Sequence, residues 1–128
     1  MHTVTKKELV DRIADRTDVT RVVVKRIVQS FLDEMIEEAT VDAYGESEQT
    51  VGFFTLLEDR LKLPFKTEVL GVEVTVERLD MTDDKQIVAV CSRGKARQPV
   101  PILDLTLPDP PPEGAEWIEA FRRWARGK

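Results

Sequence analysis

The residues best suited to chemistry are oxygen-bearing and cluster in one short stretch: Asp80, Asp83 and Asp84 fall within Asp80-Met81-Thr82-Asp83-Asp84-Lys85. Carboxylates so close together suit a hard cation such as calcium, which takes six to eight oxygen ligands at roughly 2.3–2.6 Å from carboxylates, carbonyls and water. The stretch is not an EF-hand loop. Counted from Asp80, the turn glycine is replaced by Lys85 and the closing bidentate glutamate by Cys91. A cation here needs oxygens from elsewhere. Glu58 and Asp59 are a second adjacent carboxylate pair, although neighbours on a helix point about 100° apart and do not chelate one ion as a pair. Asp42, Glu46 and Glu48 form a further acidic stretch that reads as solvated charge or helix N-terminal complement.

Other chemistries are poorly supplied. Cys91 is the single cysteine, which excludes an internal disulfide and any multi-cysteine metal site. It lies in the apolar run Gln86–Cys91 and reads as a small buried hydrophobe. The single histidine, His2, sits near the chain start, so a nucleophile–histidine pair has no firmly held base. No pair of carboxylates is marked as sheltered with split pKa values. The expectation is a binding protein, not an enzyme.

Charge narrows the partners. The net charge is -5, with 7 Lys/Arg against 8 Asp/Glu over 1–38 and 12 against 16 over 39–128. Neither part has the basic excess of a sequence-independent nucleic-acid or membrane-surface binder. The one basic cluster, Arg93-Gly94-Lys95-Ala96-Arg97, reads as an exposed hairpin turn. No apolar run approaches a membrane span and no signal-peptide pattern is present, so the expected location is the bacterial cytoplasm.

The elements that must position these residues begin with a helical hairpin. Thr5-Lys6-Lys7-Glu8 is a capping box opening a helix over about 5–16, with Leu9, Val10, Ile13 and Ala14 at helical spacing. Asp18-Val19-Thr20 breaks it, and Thr20 caps the next helix. There Val23, Val24, Ile27, Val28, Phe31, Leu32, Met35 and Ile36 form one apolar stripe. Two helices cannot bury that stripe alone; either the rest of the chain or a second copy must cover it. The pattern TKKELVDRIADRTDVTRVVVKRIVQSFLDEMIEEA resembles the opening helical hairpin of the HU/IHF family of bacterial histone-like proteins. That resemblance implies an intertwined homodimer, with Val24, Ile27, Val28, Phe31, Leu32 and Met35 at the dimer interface. The family's DNA grip is a basic β-ribbon arm bearing Arg-Asn-Pro, and here the basic cluster is followed by Gln98-Pro99. DNA is therefore the weaker expectation and dimerisation the stronger.

After a turn at Asp42–Gly45, residues from Glu46 to Leu63 read as a helix with Val51, Phe54, Leu57 and Leu61 on one face, ended by Pro64. Lys66–Leu70 and Val72–Val76 read as strands meeting at a bend or bulge at Gly71, and Val72, Val74 and Val76 alternate with polar residues. A polar loop follows over Asp80–Lys85, then a buried strand Ile87–Cys91, a turn at Arg93–Lys95 and a last strand-containing segment Val100–Leu105. This spacing predicts a small SH3-like antiparallel β-barrel, or failing closure a curled antiparallel sheet. Pro108–Pro112 reads as an extended polyproline-like strap. A terminal helix follows, whose Trp117, Ile118, Phe121 and Trp124 dock on the barrel. The fold class is α+β, divided as a hairpin over 1–38 and a domain over 39–128.

Within the second part, VDAYGESEQTVGFFTLLEDRLKLPF, VTVERLD, VPILDL and the Trp-rich final helix are similar to the CcbP-type family of small acidic bacterial calcium-binding proteins. The most specific stretches are Leu57-Glu58-Asp59 with Leu63-Pro64-Phe65, and Val100-Pro101-Ile102 with Asp104-Leu105. The resemblance implies calcium as ligand, and it adds Glu58 and Asp59 of its motif to Asp80, Asp83 and Asp84 as candidate metal ligands. Taken together, the leading expectation is a calcium-binding or calcium-responsive protein carried on an HU-like dimerisation hairpin. The partners are a calcium ion and a second copy of the chain, with no membrane. The alternatives are a nucleoid-associated DNA-binding protein and a protein-interaction module that no longer binds metal.

Overall fold

The computed structural model describes residues 6–127. His2 and the expected Thr5 cap lie outside the described residues. Helix α1 spans Lys6–Thr17, α2 Arg21–Thr40, α3 Glu46–Arg60 and α4 Glu116–Arg126; strands β1 to β4 span Phe65–Val69, Val72–Met81, Ile87–Arg93 and Ala96–Pro101. The fold is α+β, with four helices and one four-stranded antiparallel sheet in the order β1-β2-β3-β4 among the described residues.

The hairpin forms as its caps dictate. Asp18 takes a left-handed conformation (φ 60) between the helices, and the Thr20 hydroxyl accepts from the Val23 N–H as the N-cap of α2. Val10 and Ala14 of α1 are buried with Val24 of α2, beside Ile13 and Val28. Helix α2 does not stop at the hairpin. Its second half runs on unbroken and buries Leu32, Met35 and Ala39 in the main core. The apolar stripe is thus divided between two environments, which its regular spacing did not reveal.

The main core is built where α2, α3 and α4 meet the sheet. Phe53, Leu57, Val76, Ile102 and Ile118 are completely buried, and each such side chain contributes on the order of 2 kcal/mol of transfer free energy. The aromatic residues of α4 dock mainly on α3 instead of on a barrel. Phe53 packs edge-on to Phe121 with ring centres 5.3 Å apart, and Trp124 lies 5.3 Å from Phe53 and 5.8 Å from Phe121. The Trp124 Nε1–H donates to Gln49 at 3.1 Å.

Strands β1 and β2 are joined at Leu70-Gly71, both with positive φ (52 and 78), the geometry of a two-residue hairpin turn matched to strand twist. Strand β2 runs to Met81, well beyond the expected end at Val76, because a bulge between Val76 and Arg78 resets its alternation. Before the bulge Val74 and Val76 face the core; after it Leu79 and Met81 do. The strand continues while its sequence phase flips. Asp80 therefore sits on a strand and not in a loop.

The expected closed SH3-like barrel is not formed: β1 and β4 are the free edges of an open sheet. The last strand ends at Pro101, and residues 102–104 turn away instead of continuing to Leu105. Pro99 and Pro101 have no N–H to extend a ladder beyond β4. The irregular segment lies where a closing strand would lie. Its Thr106 carbonyl accepts from the buried Thr67 hydroxyl of β1, while Ile102, Leu105 and Leu107 are buried beneath it. Residues 108–112 are not a continuous extended strap either; the chain bends at Asp109-Pro110.

Candidate cation and docking surfaces

The turn between β2 and β3 is built by Thr82. Its backbone N–H donates to the Gln86 carbonyl at 2.9 Å, its carbonyl accepts from Lys85 N–H at 3.0 Å, and its hydroxyl accepts from Gln86 N–H at 3.0 Å. The same hydroxyl donates to Asp84. Asp80 is held from two sides: one oxygen accepts from Met81 N–H at 2.8 Å and the other from Arg78 at 3.2 Å. The Met81 amide first, then Arg78, hold the Asp80 carboxyl below its ordinary value. Asp80, Asp83 and Asp84 are all exposed.

Glu58 and Asp59 lie exposed on the last turn of α3, where Asp59 pairs with Arg60 at 3.2 Å. Among the described residues no group of three or more His, Cys, Asp or Glu side chains is arranged to hold a metal ion. The structure thus does not bring Glu58 and Asp59 together with Asp80, Asp83 and Asp84 in one ligand set. In this arrangement they do not fit a calcium ion. Both oxygens of Asp80 and one of Asp84 are spent on partners within the chain, which leaves fewer than the six to eight oxygens calcium takes. Of the earlier acidic stretch, Glu48 accepts from Tyr44 N–H at 2.7 Å and closes the start of α3.

The outer face of the sheet carries a charge pattern that spacing alone did not show. The bulge turns Glu77 toward β4, where Arg97 Nε donates to it at 2.8 Å. Arg97 chiefly, with Ser92 and Arg78, holds the Glu77 carboxyl below its ordinary value. Arg78, Arg97 and Pro99 surround Val88 and Val90, which are buried although they face away from the core. Arg93–Lys95 forms the exposed turn between β3 and β4, with Gly94 at φ 61. Cys91 is a free, buried thiol.

The six stripe residues of α2 are separated by the fold. Val24 is buried against α1, Leu32 and Met35 belong to the main core, and Val28 is half-buried between them. Ile27 and Phe31 remain 61% and 60% exposed. They border an apolar groove of about 620 Å³ between the hairpin and residues 107–119. Among the described residues no helix is long and apolar enough to cross a membrane.

Two family models match the chain. The CcbP model, described as calcium binding, matches residues 33–125, from the middle of α2 through α4. A model described as bacterial DNA-binding protein matches residues 4–55, the hairpin and most of α3. No curated protein and no solved structure matches.

Proposed function

The chain belongs to the CcbP family of calcium-binding proteins, and from that premise we propose that it is a cytoplasmic calcium-binding or calcium-responsive protein, without catalysis, carried on an HU-like dimerisation hairpin. The family match across 33–125 is the observation that carries this reading, since it spans the main core. Residues 1–38 serve as the dimerisation part and 39–128 as the calcium part, with α2 continuous between them. The candidate ligands are Asp80, Asp83 and Asp84, with Glu58 and Asp59 more remote in the chain. For the first three to converge, Asp80 has to release Arg78 and Asp84 has to release Thr82. Binding is then coupled to rearrangement of the β2–β3 turn, which lowers apparent affinity by the fraction of chains in the competent form.

The test is calorimetry of the metal-stripped protein with calcium, together with a thermal melt. Binding heat and a melting temperature that rises with calcium concentration are expected, because a ligand of the folded state alone stabilises it. No heat and no shift at millimolar calcium overturns the calcium reading.

DNA binding is the second reading, favoured by the match over 4–55. It is weakened by the β1–β2 hairpin, whose tip is Leu70, 98% exposed and flanked by Glu68 and Glu73 rather than by cations. Phosphates gain nothing from such a tip. A gel-shift titration with duplex DNA at two salt concentrations is expected to show no salt-sensitive complex.

A further inference from the structure

The apolar groove beside α2 has walls of opposite charge. Leu9, Ile27 and Phe31 line its hairpin side, with Arg12 on that rim. Leu107, Pro108 and Pro111 line the facing side, whose rim carries Asp109 and Glu116. Arg12, Asp109 and Glu116 are all exposed, and among the described residues none of the three forms an ion pair within the chain. Glu119, which also reaches the groove, is engaged by Arg122 at 3.3 Å.

We propose that the occupant of this groove is a second copy of the chain, related by a two-fold axis passing beside Phe31; this rests on the dimer reading above and specifies its contact surface. In a two-fold contact, residue i meets residue j and residue j meets residue i. A surface that carries a cation on one rim and carboxylates on the other satisfies that condition twice with one set of side chains. Arg12 of each copy faces Glu116 of the other. The surface also holds both a knob and a hole, since the protruding Ile27 and Phe31 stand beside the groove that receives their counterparts. The contact engages residues 107–116, so the hairpin docks on the calcium-family part of the other copy and not on the other hairpin alone.

Sedimentation velocity over a concentration series, on the full chain, tests this. The wild type is expected to be a dimer. Phe31→Glu should weaken association about a hundredfold, as burial of a charge at the centre of an interface does. Arg12→Glu should weaken it about tenfold, and Arg12→Glu with Glu116→Arg should restore it. All three altered positions are exposed, so the variants should melt as the wild type does at concentrations low enough to dissociate it. A dimer that persists unchanged in Phe31→Glu, or a charge reversal without rescue, overturns the groove contact and leaves the dimer reading standing. A wild type that stays monomeric at high micromolar concentration leaves the groove to another partner and overturns both.

Discussion

Arg122, near the middle of α4, donates through Nη2 to the carbonyl oxygen of Ile102 at 2.9 Å, across 20 residues of chain. The same nitrogen reaches the Leu105 carbonyl, and Nη1 reaches Glu119 at 3.3 Å. The guanidinium is therefore the clamp that holds the turn after β4 against the core. Burial lowers its pKa, and the nearby Glu119 and Asp104 oppose that shift. Its Nε is buried without a partner, so the clamp is not fully satisfied. Arg122→Met strands two buried carbonyls and should cost about 2–4 kcal/mol. The check is urea unfolding: a lower midpoint at unchanged slope is expected, and a midpoint equal to wild type rules the clamp out. Arg122→Lys should recover only part of the loss, because an ammonium lacks the fork that serves the two carbonyls through Nη2 and Glu119 through Nη1.

Gly52 stands in the interior of α3, where glycine ordinarily costs about 1 kcal/mol relative to alanine. It is there because α2 crosses too close for anything larger. A Cβ at this position would lie 2.2 Å from the Ala39 carbonyl oxygen. Gly52→Ala should therefore destabilise, by about 2 kcal/mol after the gain in helix propensity is subtracted. Gly52→Ser should be worse. A melting temperature raised by Gly52→Ala would mean that α2 and α3 separate freely.

These two contacts mark the boundary of what the sequence makes legible. Elements with one unbroken period were readable: α2 from Val23 to Ile36, the buried run Ile87–Cys91, and the aromatic helix from Trp117 to Trp124. The full length of β2 is not legible, because the bulge after Val76 inverts the phase of its apolar residues and periodicity counts a phase flip as an end. The closed barrel was expected because the spacing of short strands does not report which edges pair. Edge pairing here is decided by Pro99, Pro101 and the Thr67–Thr106 hydrogen bond. The candidate ligands were legible as residue types, but their convergence depends on where α3 ends relative to the β2–β3 turn. Arg122 had no signal beyond its place one residue after Phe121 on the apolar side of α4. A charged residue there reads as solvated until its carbonyl partners are seen.

The acid limb of stability should carry the signature of the outer sheet face. Glu77 is held below 4.5 chiefly by its hydrogen bond from Arg97, and Asp80 below 3.8 chiefly by the Met81 amide. Folded-state values depressed below the unfolded ones mean that the unfolded chain binds more protons as pH falls. The contribution is present above those ordinary values and is lost as pH drops through the depressed folded ones. Urea midpoints should be level between about pH 5 and about pH 7 and fall at lower pH. Arg97→Gln should move the Glu77 titration back up, read by carboxyl chemical shifts. An unmoved Glu77 titration in that variant would detach Arg97 from the effect. Asp80 is exposed and Glu77 is partly so, so salt should weaken the difference.

Cys91 should be chemically silent in the native protein. It is buried on β3, and its thiol makes only a weak contact with the Ala89 carbonyl at 3.7 Å. Burial pushes the thiol above its ordinary 9.0, so at neutral pH the thiolate, which is the reactive form, is scarce as well as shielded. A disulfide reagent should label the native protein slowly and the urea-unfolded protein at once. The folded-state value lies above the unfolded one, so the thiol's contribution to stability is fully present below 9.0 and is lost as pH rises through the raised value. Labelling should accelerate in Arg122→Met in proportion to the loss of stability if the thiol is reached only by global unfolding. Labelling that stays fast and indifferent to that substitution would mean that β3 opens locally, which its position between β2 and β4 argues against.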